Sequence, residues 1–236
     1  MDINPNDLRY AEDSNCPAGV VNADEQVIRD ITNQILSQIG RNSDGKPPMI
    51  VPVGISARHV HLTDEAVKVL FGKDSLTPFK PLRQPGNYAA NETVTIVGPR
   101  MRAIENVRVL GPTRSYTQVE LSRTDGYMVG LSLPPRDSGK LENTPGITIV
   151  GPKGSLTIEN GVIRAGRHIH ISPELASAWG LKDQQIVSVE CGGDKGLVFN
   201  NVLVRVASGL VVELHLDTDD ANAADLANGD MLRMIV

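Results

Sequence analysis

Apolar positions along the chain change their spacing near residue 49. Between residues 24 and 39 they recur every three or four positions, at Val27, Ile28, Ile31, Ile35, Leu36 and Ile39. This spacing predicts an amphipathic helix, preceded by a polar tail and followed by the linker RNSDGKPP, so that residues 1–47 form a separable N-terminal unit. Because an isolated helix of this length is marginal in water, its apolar stripe must pack on its own domain or on a partner protein.

From residue 49 onwards the pattern is that of short strands separated by turns, which 22 Gly and 15 Pro punctuate. The predicted strands are 49–55, 58–62, 93–97, 104–110, 115–122, 127–132, 147–150, 155–159, 186–191, 196–206, 209–216 and 231–236. Short helices are predicted at 63–71, 172–180 and 219–227. The first two begin with Thr or Ser followed closely by Glu, which is an N-terminal capping signature.

Two parts of this body are similar to each other. MIVPVGISARHVHLTDEAVKVLFG at 49–72 is similar to GVIRAGRHIHISPELASAWG at 161–180. Residues 93–122 and 185–215 also match in outline, since each has a strand, a turn, an Asn-Val strand and a strand containing Val-Glu-Leu. The similarity predicts two related halves. Two small β-barrels that meet at a shared site are the expected architecture, because closing a sheet removes its exposed edges.

The five histidines carry the candidate chemistry. They are His59, His61, His168, His170 and His215, and four of them form two His-x-His pairs at equivalent places in the two halves. Residues i and i+2 of a strand share a face about 6.5–7 Å apart, so each pair can converge on one metal ion. Zinc takes imidazole nitrogens and usually has four ligands, so the first pair leaves positions open. The other three histidines with a carboxylate can form a second site, for which Glu120 and Glu213, each within Val-Glu-Leu, are both candidates.

Three arginines lie near these motifs. Arg114 is the candidate for binding phosphate, since a guanidinium binds this anion through two charge-assisted hydrogen bonds. It lies an even number of residues before Glu120, so a regular strand would place both side chains on one face. Arg58 and Arg167 directly precede the histidine pairs and are predicted to face away from them, in ion pairs.

Charge and composition exclude several functions. A formal net charge of -5 argues against non-specific nucleic-acid binding and against docking on an anionic membrane. Apolar runs are too short to cross a bilayer, and MDINPNDLRY has no apolar secretory core. Cys16 lies in the polar tail and Cys191 in a Gly-rich turn, which argues against a disulfide framework and favours a reducing cytoplasmic setting. The sequence has no dinucleotide-binding glycine motif, P-loop or Ser-His-Asp pattern.

Four segments resemble a known family. VPVGISARHVHLT, GPTRSYTQVELSRTDG, GRHIHIS and VVELHLDTDDANA resemble the phosphate propanoyltransferases (phosphotransacylases) of bacterial microcompartments, the PduL type. The resemblance covers residues 48–236. It implies a mainly β fold of two β-barrels capped by short α-helices. One barrel is expected over residues 58–165 and the other over residues 48–57 plus 166–236.

The resemblance also implies roles for individual residues. One zinc ion would be bound by His59 and His61, with the CoA thiol sulfur able to ligate it, and Arg114 would be the catalytic residue that holds phosphate. The other zinc ion would be bound by the set Glu120, His168, His170 and His215. The implied reaction interconverts a short-chain acyl-CoA, propanoyl-CoA in particular, plus phosphate with acyl phosphate plus CoA. Phosphate is itself a competent nucleophile, so it can attack the thioester directly.

The resemblance further implies a cellular setting. Members of this family often carry an N-terminal encapsulation helix, so residues 24–39 are expected to bind shell or core proteins of a bacterial microcompartment for propanediol degradation. A homodimer is also expected. Two alternatives remain open at this point: a zinc hydrolase that uses a metal-bound hydroxide, and a metal-stabilised scaffold that brings cargo to a shell.

Overall fold

The computed structural model describes residues 48–236, so the predicted N-terminal unit, with its helix at 24–39, lies outside the described residues. Within them are fifteen strands and four short helices. The strands are β1 (Ile50–Ser56), β2 (His59–His61), β3 (Pro78–Pro81), β4 (Tyr88–Val97), β5 (Ala103–Gly111), β6 (Gln118–Glu120), β7 (Pro135–Arg136), β8 (Ile147–Val150), β9 (Ser155–Ile158), β10 (Val162–Ala165), β11 (His168–Ile171), β12 (Ile186–Cys191), β13 (Leu197–Val206), β14 (Glu213–Asp217) and β15 (Met231–Ile235). The helices are α1 (Asp64–Phe71), α2 (Arg123–Val129), α3 (Pro173–Trp179) and α4 (Thr218–Ala223).

The strands form two sheets. Six close into a barrel in the order β1-β14-β11-β13-β12-β15. The other nine form a half-barrel sheet in the order β7-β10-β6-β2-β5-β4-β8-β9, with β3 paired to β4. The predicted mainly β class with short helices is confirmed, with one closed barrel. The second sheet stays open, since its end strands β7 and β9 do not pair with each other.

The two halves of the chain exchange a strand. β1 precedes the first His-x-His but pairs in parallel with β14, where Gly54 lies opposite His215. β10 precedes the second His-x-His but pairs in parallel with β6, where Ile163 lies opposite Glu120. Each histidine strand therefore begins just after the chain has crossed from one sheet to the other. This reciprocal exchange brings the two histidine strands to the junction between the sheets.

Capping side chains begin the helices. Thr63, Ser122, Ser172 and Asp217 each accept a hydrogen bond from the backbone N–H three residues further on, which satisfies one of the free donors of the first turn. Glycines in the left-handed conformation end the first three helices, where other residues would be strained. The helices predicted at 63–71 and 172–180 are confirmed, and the third, predicted at 219–227, is shorter and spans Thr218–Ala223.

Several strand predictions differ from the structure. The predicted strand 127–132 is wrong, because α2 occupies the first half of this segment and is capped by Gly130, which has a φ of 83°. The Ser122 hydroxyl caps this helix by accepting from the Asp125 N–H at 3.1 Å. Apolar residues at alternate positions suggested a strand there, but the local cap decides the structure. The predicted strand 115–122 is regular only over β6, and β3, β7, β10 and β11 lie outside the predicted strand segments.

Each sheet covers its own apolar core. Ile169, the central residue of the second His-x-His, is fully buried in the barrel core. Val60 has the same place in the core of the half-barrel sheet. Since side chains alternate along a strand, burial of the central residue turns both flanking histidines to the opposite face. The core therefore determines the direction in which the histidines point.

Candidate active site

A first group of three side chains lies on β2 and β6. His59 stands opposite Glu120 in the antiparallel pairing of these strands. Nε2 of His59 lies 3.5 Å from Oε2 of Glu120, and Nε2 of His61 lies 3.9 Å from Oε1. The possible ligand atoms of the three residues lie within 4.8 Å of one another. Both histidines are buried, and the Glu120 side chain is only 11% exposed. The group is therefore a compact set of two imidazoles and one carboxylate.

A second group of three histidines lies on β11 and β14. His168 stands opposite His215 in the antiparallel pairing of these strands. The ring centroids of His168, His170 and His215 are 4.6–4.9 Å apart, and their possible ligand atoms lie within 4.8 Å of one another. The structure thus brings together five histidines and Glu120 in two groups, and Glu120 has the place in the first group that His215 has in the second.

Backbone carbonyls orient one histidine of each group. Nδ1 of His59 lies 2.8 Å from the Ala57 carbonyl, and Nδ1 of His168 lies 2.8 Å from the Gly166 carbonyl. A neutral imidazole that donates through Nδ1 keeps a lone pair on Nε2, and this arrangement is typical of histidines that bind metals. The two halves therefore prepare Nε2 as a ligand by the same contact, to the carbonyl two residues earlier.

Three buried imidazole nitrogens have no hydrogen-bond partner among the described residues: Nδ1 of His61, Nδ1 of His170 and Nε2 of His215. The last lies 2.9 Å from Oε2 of Glu213, although the contact lacks the alignment of a hydrogen bond. A buried polar atom without a partner costs about 1–3 kcal/mol. The two Nδ1 atoms, in groups rich in imidazole with one carboxylate, fit the ligands that zinc prefers.

Burial and neighbouring cations keep most of these imidazoles neutral. Burial, with a smaller effect from the charges of His59 and Arg114, lowers the pKa of His61 to about 3. Burial, followed by the charges of His215 and Arg205, lowers the pKa of His168 to about 3, and the same causes lower that of the other histidine on β11 to about 4. Neutral imidazoles keep the lone pairs that a metal requires.

Glu120 has the opposite electrostatic role. Burial alone would raise the pKa of its carboxyl group, but the charge and hydrogen bond of His59, followed by the charges of His61 and His168, outweigh burial and lower it. Burial would lower the pKa of His59, but its contact with Glu120 raises it. The smallest of the effects on Glu120 comes from His168, a residue of the second group.

A buried polar network supports Glu120 and connects it to Arg114. Gln118 is fully buried and donates from Nε2 to Glu120 Oε1 at 2.6 Å and to the Ser138 hydroxyl at 2.8 Å. Its Oε1 accepts from the Gly139 N–H at 2.8 Å. Arg114 donates to the Ser138 hydroxyl at 2.9 Å. The guanidinium predicted to bind phosphate therefore lies one hydroxyl away from the Glu120 carboxylate.

Comparison with known proteins identifies the family of this chain. The family model for phosphate propanoyltransferase matches residues 52–227. The chain belongs to this family. A phosphate propanoyltransferase of Thermotoga maritima is 56% identical over 192 residues, which cover 80% of this chain and 90% of the relative. That of Lachnoclostridium phytofermentans is 48% identical over 206 residues, covering 87% and 96%. That of Salmonella typhimurium is 42% identical over 206 residues, covering 87% and 94%. The resemblance drawn from the sequence motifs is confirmed, and the family is one of acyltransferases.

The arginines that directly precede the two histidine pairs are in ion pairs, as predicted. Arg58 lies 3.1 Å from the buried carboxylate of Asp125 on α2. Arg167 binds Asp220 on α4 through two hydrogen bonds of 2.7 and 2.8 Å. In both halves, the arginine directly before His-x-His therefore forms an ion pair with a helix. This helix follows the strand that pairs with the histidine strand. Both arginines therefore have a structural role next to the histidine pairs.

Sequence reasoning missed several residues around the two groups. Gln118 precedes Glu120 by two residues, so strand alternation could have placed both on one face. Arg205 on β13 pairs in register with His170 and contacts Asp137 at 3.4 Å. Ser138 belongs to a loop and gave no periodic signal.

A second carboxylate candidate, Glu213, lies outside the group of three histidines and contacts only His215 among them.

Two further features bear on function. Cys191 is buried in the barrel core, and burial raises the pKa of its thiol, so it is not poised to act as a nucleophile. A cavity is lined by Arg123, Tyr127, Leu131, Ser132, Leu133 and Arg164. Along residues 48–236, each helix is too short or too polar to span a lipid bilayer.

Proposed function

We propose that this protein interconverts propanoyl-CoA and phosphate with propanoyl phosphate and CoA. The observation that carries the proposal is the pair of three-residue groups together with Arg114, which the Ser138 hydroxyl connects to Glu120 of the first group. Membership of the phosphate propanoyltransferase family and the family names of the relatives support the same reaction. An arrangement of metal ligands beside an anion-binding guanidinium suits a reaction between an anion and a thioester.

The ligand sets fit two zinc ions. His59 and His61 would hold one ion, and Glu120, His168, His170 and His215 would hold the other. When bound, zinc would supply Lewis-acid stabilisation of the negative charge that develops on the thioester oxygen and the departing sulfur. The low pKa values of His61 and His168 and the unpartnered Nδ1 atoms of His61 and His170 support this assignment. The structure groups Glu120 with His59 and His61, at 3.5 Å from His59, so its assignment to the second ion rests on the family resemblance.

Arg114 is the residue that we propose binds and orients phosphate. Its guanidinium contacts the hydroxyl groups of Ser138 and Tyr116, at 2.9 and 3.3 Å, and lacks a carboxylate partner among the described residues. Its backbone N–H donates to the carbonyl of Leu62, the residue after His61, at 2.9 Å, so Arg114 lies close to the first group. A guanidinium held by neutral hydroxyls keeps its charge available for an incoming anion. Fixing phosphate beside the thioester removes much of the entropic cost of bringing two substrates together.

The proposed reaction needs no covalent enzyme intermediate. A phosphate oxygen attacks the thioester carbonyl carbon, the new C–O bond forms, the C–S bond breaks, and CoA leaves as its thiolate. Cys191 is excluded as a nucleophile by its burial in the barrel core. Arg114 would hold the attacking anion, and the Gln118–Ser138 contact would keep Arg114 and Glu120 in fixed relative positions.

We propose that the cavity lined by Arg123 and Arg164 binds the phosphate groups of CoA. Arg123 begins α2, three residues after Glu120, and Arg164 lies on β10 beside the residue that faces Glu120. The Tyr127 ring is 65% exposed and lies under the Arg123 guanidinium at 5.7 Å. Two guanidinium groups suit phosphate groups, and an exposed aromatic ring suits stacking on a nucleobase.

Further proposals follow from the family and from strand pairing. We propose residues 58–165 as one structural unit and residues 48–57 plus 166–236 as the other, since β1 pairs with β14 and β15. We also propose that residues 24–39 bind shell or core proteins of a bacterial microcompartment in the cytoplasm, and that the enzyme is a homodimer. Pull-down of the full chain with and without residues 1–47, together with light scattering, tests these two proposals.

Thiol release from a panel of acyl-CoA esters, with and without phosphate and with and without a chelator, tests the function. We expect phosphate-dependent release that is fastest with propanoyl-CoA and is abolished by the chelator. A zinc hydrolase would release CoA without phosphate, and a metal-stabilised scaffold would release none. Either result would refute the proposed function.

A further inference from the structure

A turn of the half-barrel sheet reaches the barrel strand that carries His215. Gln84 lies in the turn between β3 and β4 and is 7% exposed. Its Oε1 accepts from the Val211 N–H at 3.2 Å, and its Nε2 donates to the Val211 carbonyl at 2.9 Å. These two hydrogen bonds to the backbone of one residue resemble the bonding between paired β-strands. Gln84 thereby fixes the segment that leads into β14.

The same glutamine holds a buried carboxylate. Nε2 of Gln84 also donates to Oε2 of Glu213 at 3.0 Å, and Arg83 Nε lies 3.9 Å from Oε1. Gly54 makes the space for this carboxylate, because a Cβ at that position would lie 2.7 Å from the Glu213 carboxyl carbon. A buried carboxylate without partners is costly. The turn of one sheet and the missing side chain on β1 therefore converge on Glu213.

Glu213 in turn contacts a histidine of the second group. Its Oε2 lies 2.9 Å from Nε2 of His215, whereas the group of possible metal ligands contains only His168, His170 and His215. Nε2 of His215 has no aligned hydrogen bond among the described residues, so a modest rotation of the ring would satisfy it on Glu213. An imidazole that donates through Nε2 keeps its lone pair on Nδ1.

We propose that Gln84 and Glu213 are positioning residues that orient the His215 imidazole for metal binding. The proposal rests on the proposed function, since it takes the second group as a zinc site. A carboxylate that accepts from a metal-binding histidine fixes the ring and its tautomer, and loss of such a partner typically weakens metal binding about 10–100-fold. Through Gln84, the half-barrel sheet supports a ligand that belongs to the barrel.

Zinc retained by the full-length protein against a graded series of chelator concentrations tests the proposal. We expect wild-type protein to lose zinc in two steps. Gln84→Ala and Glu213→Gln should each shift one step to about 10–100-fold less chelator, and the double variant should shift little further, because both changes act through one imidazole. The shifted step should be the one that a His59→Ala variant still shows, because that variant loses a ligand of the first group only.

Two control variants match these changes. Asn87→Ala removes a side-chain hydrogen bond, to the Pro85 carbonyl, in the same turn as Gln84. Glu190→Gln removes an exposed carboxylate that is paired with Arg233 in the same barrel. Both should leave both zinc steps unchanged. Thermal unfolding of the zinc-free proteins should show that Glu213→Gln lowers Tm no more than these controls do, which separates positioning from general destabilisation.

The outcomes distinguish the positioning role from the function itself. If Gln84→Ala does not fold, Glu213→Gln carries the test, because it keeps the shape of the side chain and can still bind Gln84. Unchanged zinc retention in the folded variants would overturn the positioning role and leave the proposed function intact. A shift in Glu213→Gln without one in folded Gln84→Ala would overturn the role of Gln84. Wild-type protein that retains no zinc would overturn both proposals.

Discussion

His59 and Glu120 stand directly opposite each other on antiparallel strands, with Nε2 of His59 3.5 Å from Oε2 of Glu120. His168 and His215 hold the same register in the other half. The two groups of ligands are thus built on one plan, in which a His-x-His strand faces a third donor across the ladder. In one half that donor is a carboxylate and in the other it is an imidazole.

Replacement of this carboxylate tests its part in the site. We expect Glu120→Gln to weaken zinc retention by at least about 100-fold, since loss of a direct donor should cost more than loss of an outer-shell partner. Turnover should fall with zinc content, as measured by elemental analysis and thiol release. Glu92→Gln is the matched control, because Glu92 is a buried carboxylate paired with Lys73. Glu120→Gln with full zinc and near-normal turnover would contradict the assignment.

The role of Arg114 can be separated from folding. Arg114→Ala should lower kcat/KM for phosphate about 10²–10³-fold, the usual cost of removing one charge-stabilising donor. Its Tm should change little, because among the described residues the side chain donates hydrogen bonds to the hydroxyl groups of Tyr116 and Ser138 and to no carboxylate. As a control, Arg108→Ala removes bonds to the carbonyls of Ala90 and Asn91, so it should lower Tm and spare the phosphate dependence. Equal phosphate dependence in both variants would disprove the role.

The cavity proposed for CoA predicts a substrate-dependent effect. Arg164→Ala should raise KM for propanoyl-CoA about tenfold or more, because a charge-assisted contact to a phosphate group contributes about 1.5–3 kcal/mol. With a propanoyl thioester that lacks the nucleotide, the variant and the wild type should have the same rate. Arg136→Ala is a control, since Arg136 lies outside the cavity lining. An equal loss with both substrates would argue against nucleotide binding there.

Low pH should remove the contribution that the ionised Glu92 carboxylate makes to the stability of the fold. Burial would raise the pKa of Glu92, but hydrogen bonds from the Lys73 ammonium at 2.6 Å and the Thr77 N–H at 3.0 Å outweigh it and lower the pKa. A carboxyl group with a lowered folded-state pKa stabilises the fold above its unfolded value, near 4.5, and loses that contribution as pH falls through the folded value. Urea unfolding from pH 7 to pH 3 should therefore show a gap between wild type and Glu92→Gln that narrows below about pH 4.5. A constant gap would show that ionisation of Glu92 does not contribute.

The sequence was informative where short-range chemistry decides the structure. Capping residues located α1 and α3, because a Thr or Ser hydroxyl bonds its own helix three residues on. Strand alternation placed both histidines of each pair on one face. It failed at residues 127–132, because the period-two signal there competed with the Ser122 cap and the Gly130 stop, and those contacts formed α2.

The sequence could not predict the register of the paired strands, that is, which residues lie opposite each other. Matching the two Val-Glu-Leu segments makes Glu120 the counterpart of Glu213, whereas strand pairing makes it the counterpart of His215, two residues further on. Two residues is one full period of a strand, so both alignments keep the same side chains inward and the local pattern cannot distinguish them. Only hydrogen bonding to the partner strand decides between them.

The amino-acid sequence by itself determined the mainly β class, the family and the types of side chain that meet at the site, because these depend on local periodicity, caps and distinctive motifs. Tertiary structure alone decided which sheet stays open, that Glu120 faces His59, and that Gln84 reaches Glu213 from 129 residues away. These features depend on strand exchange between the halves and on contacts distant in sequence, whose energies exist only once both sheets have formed.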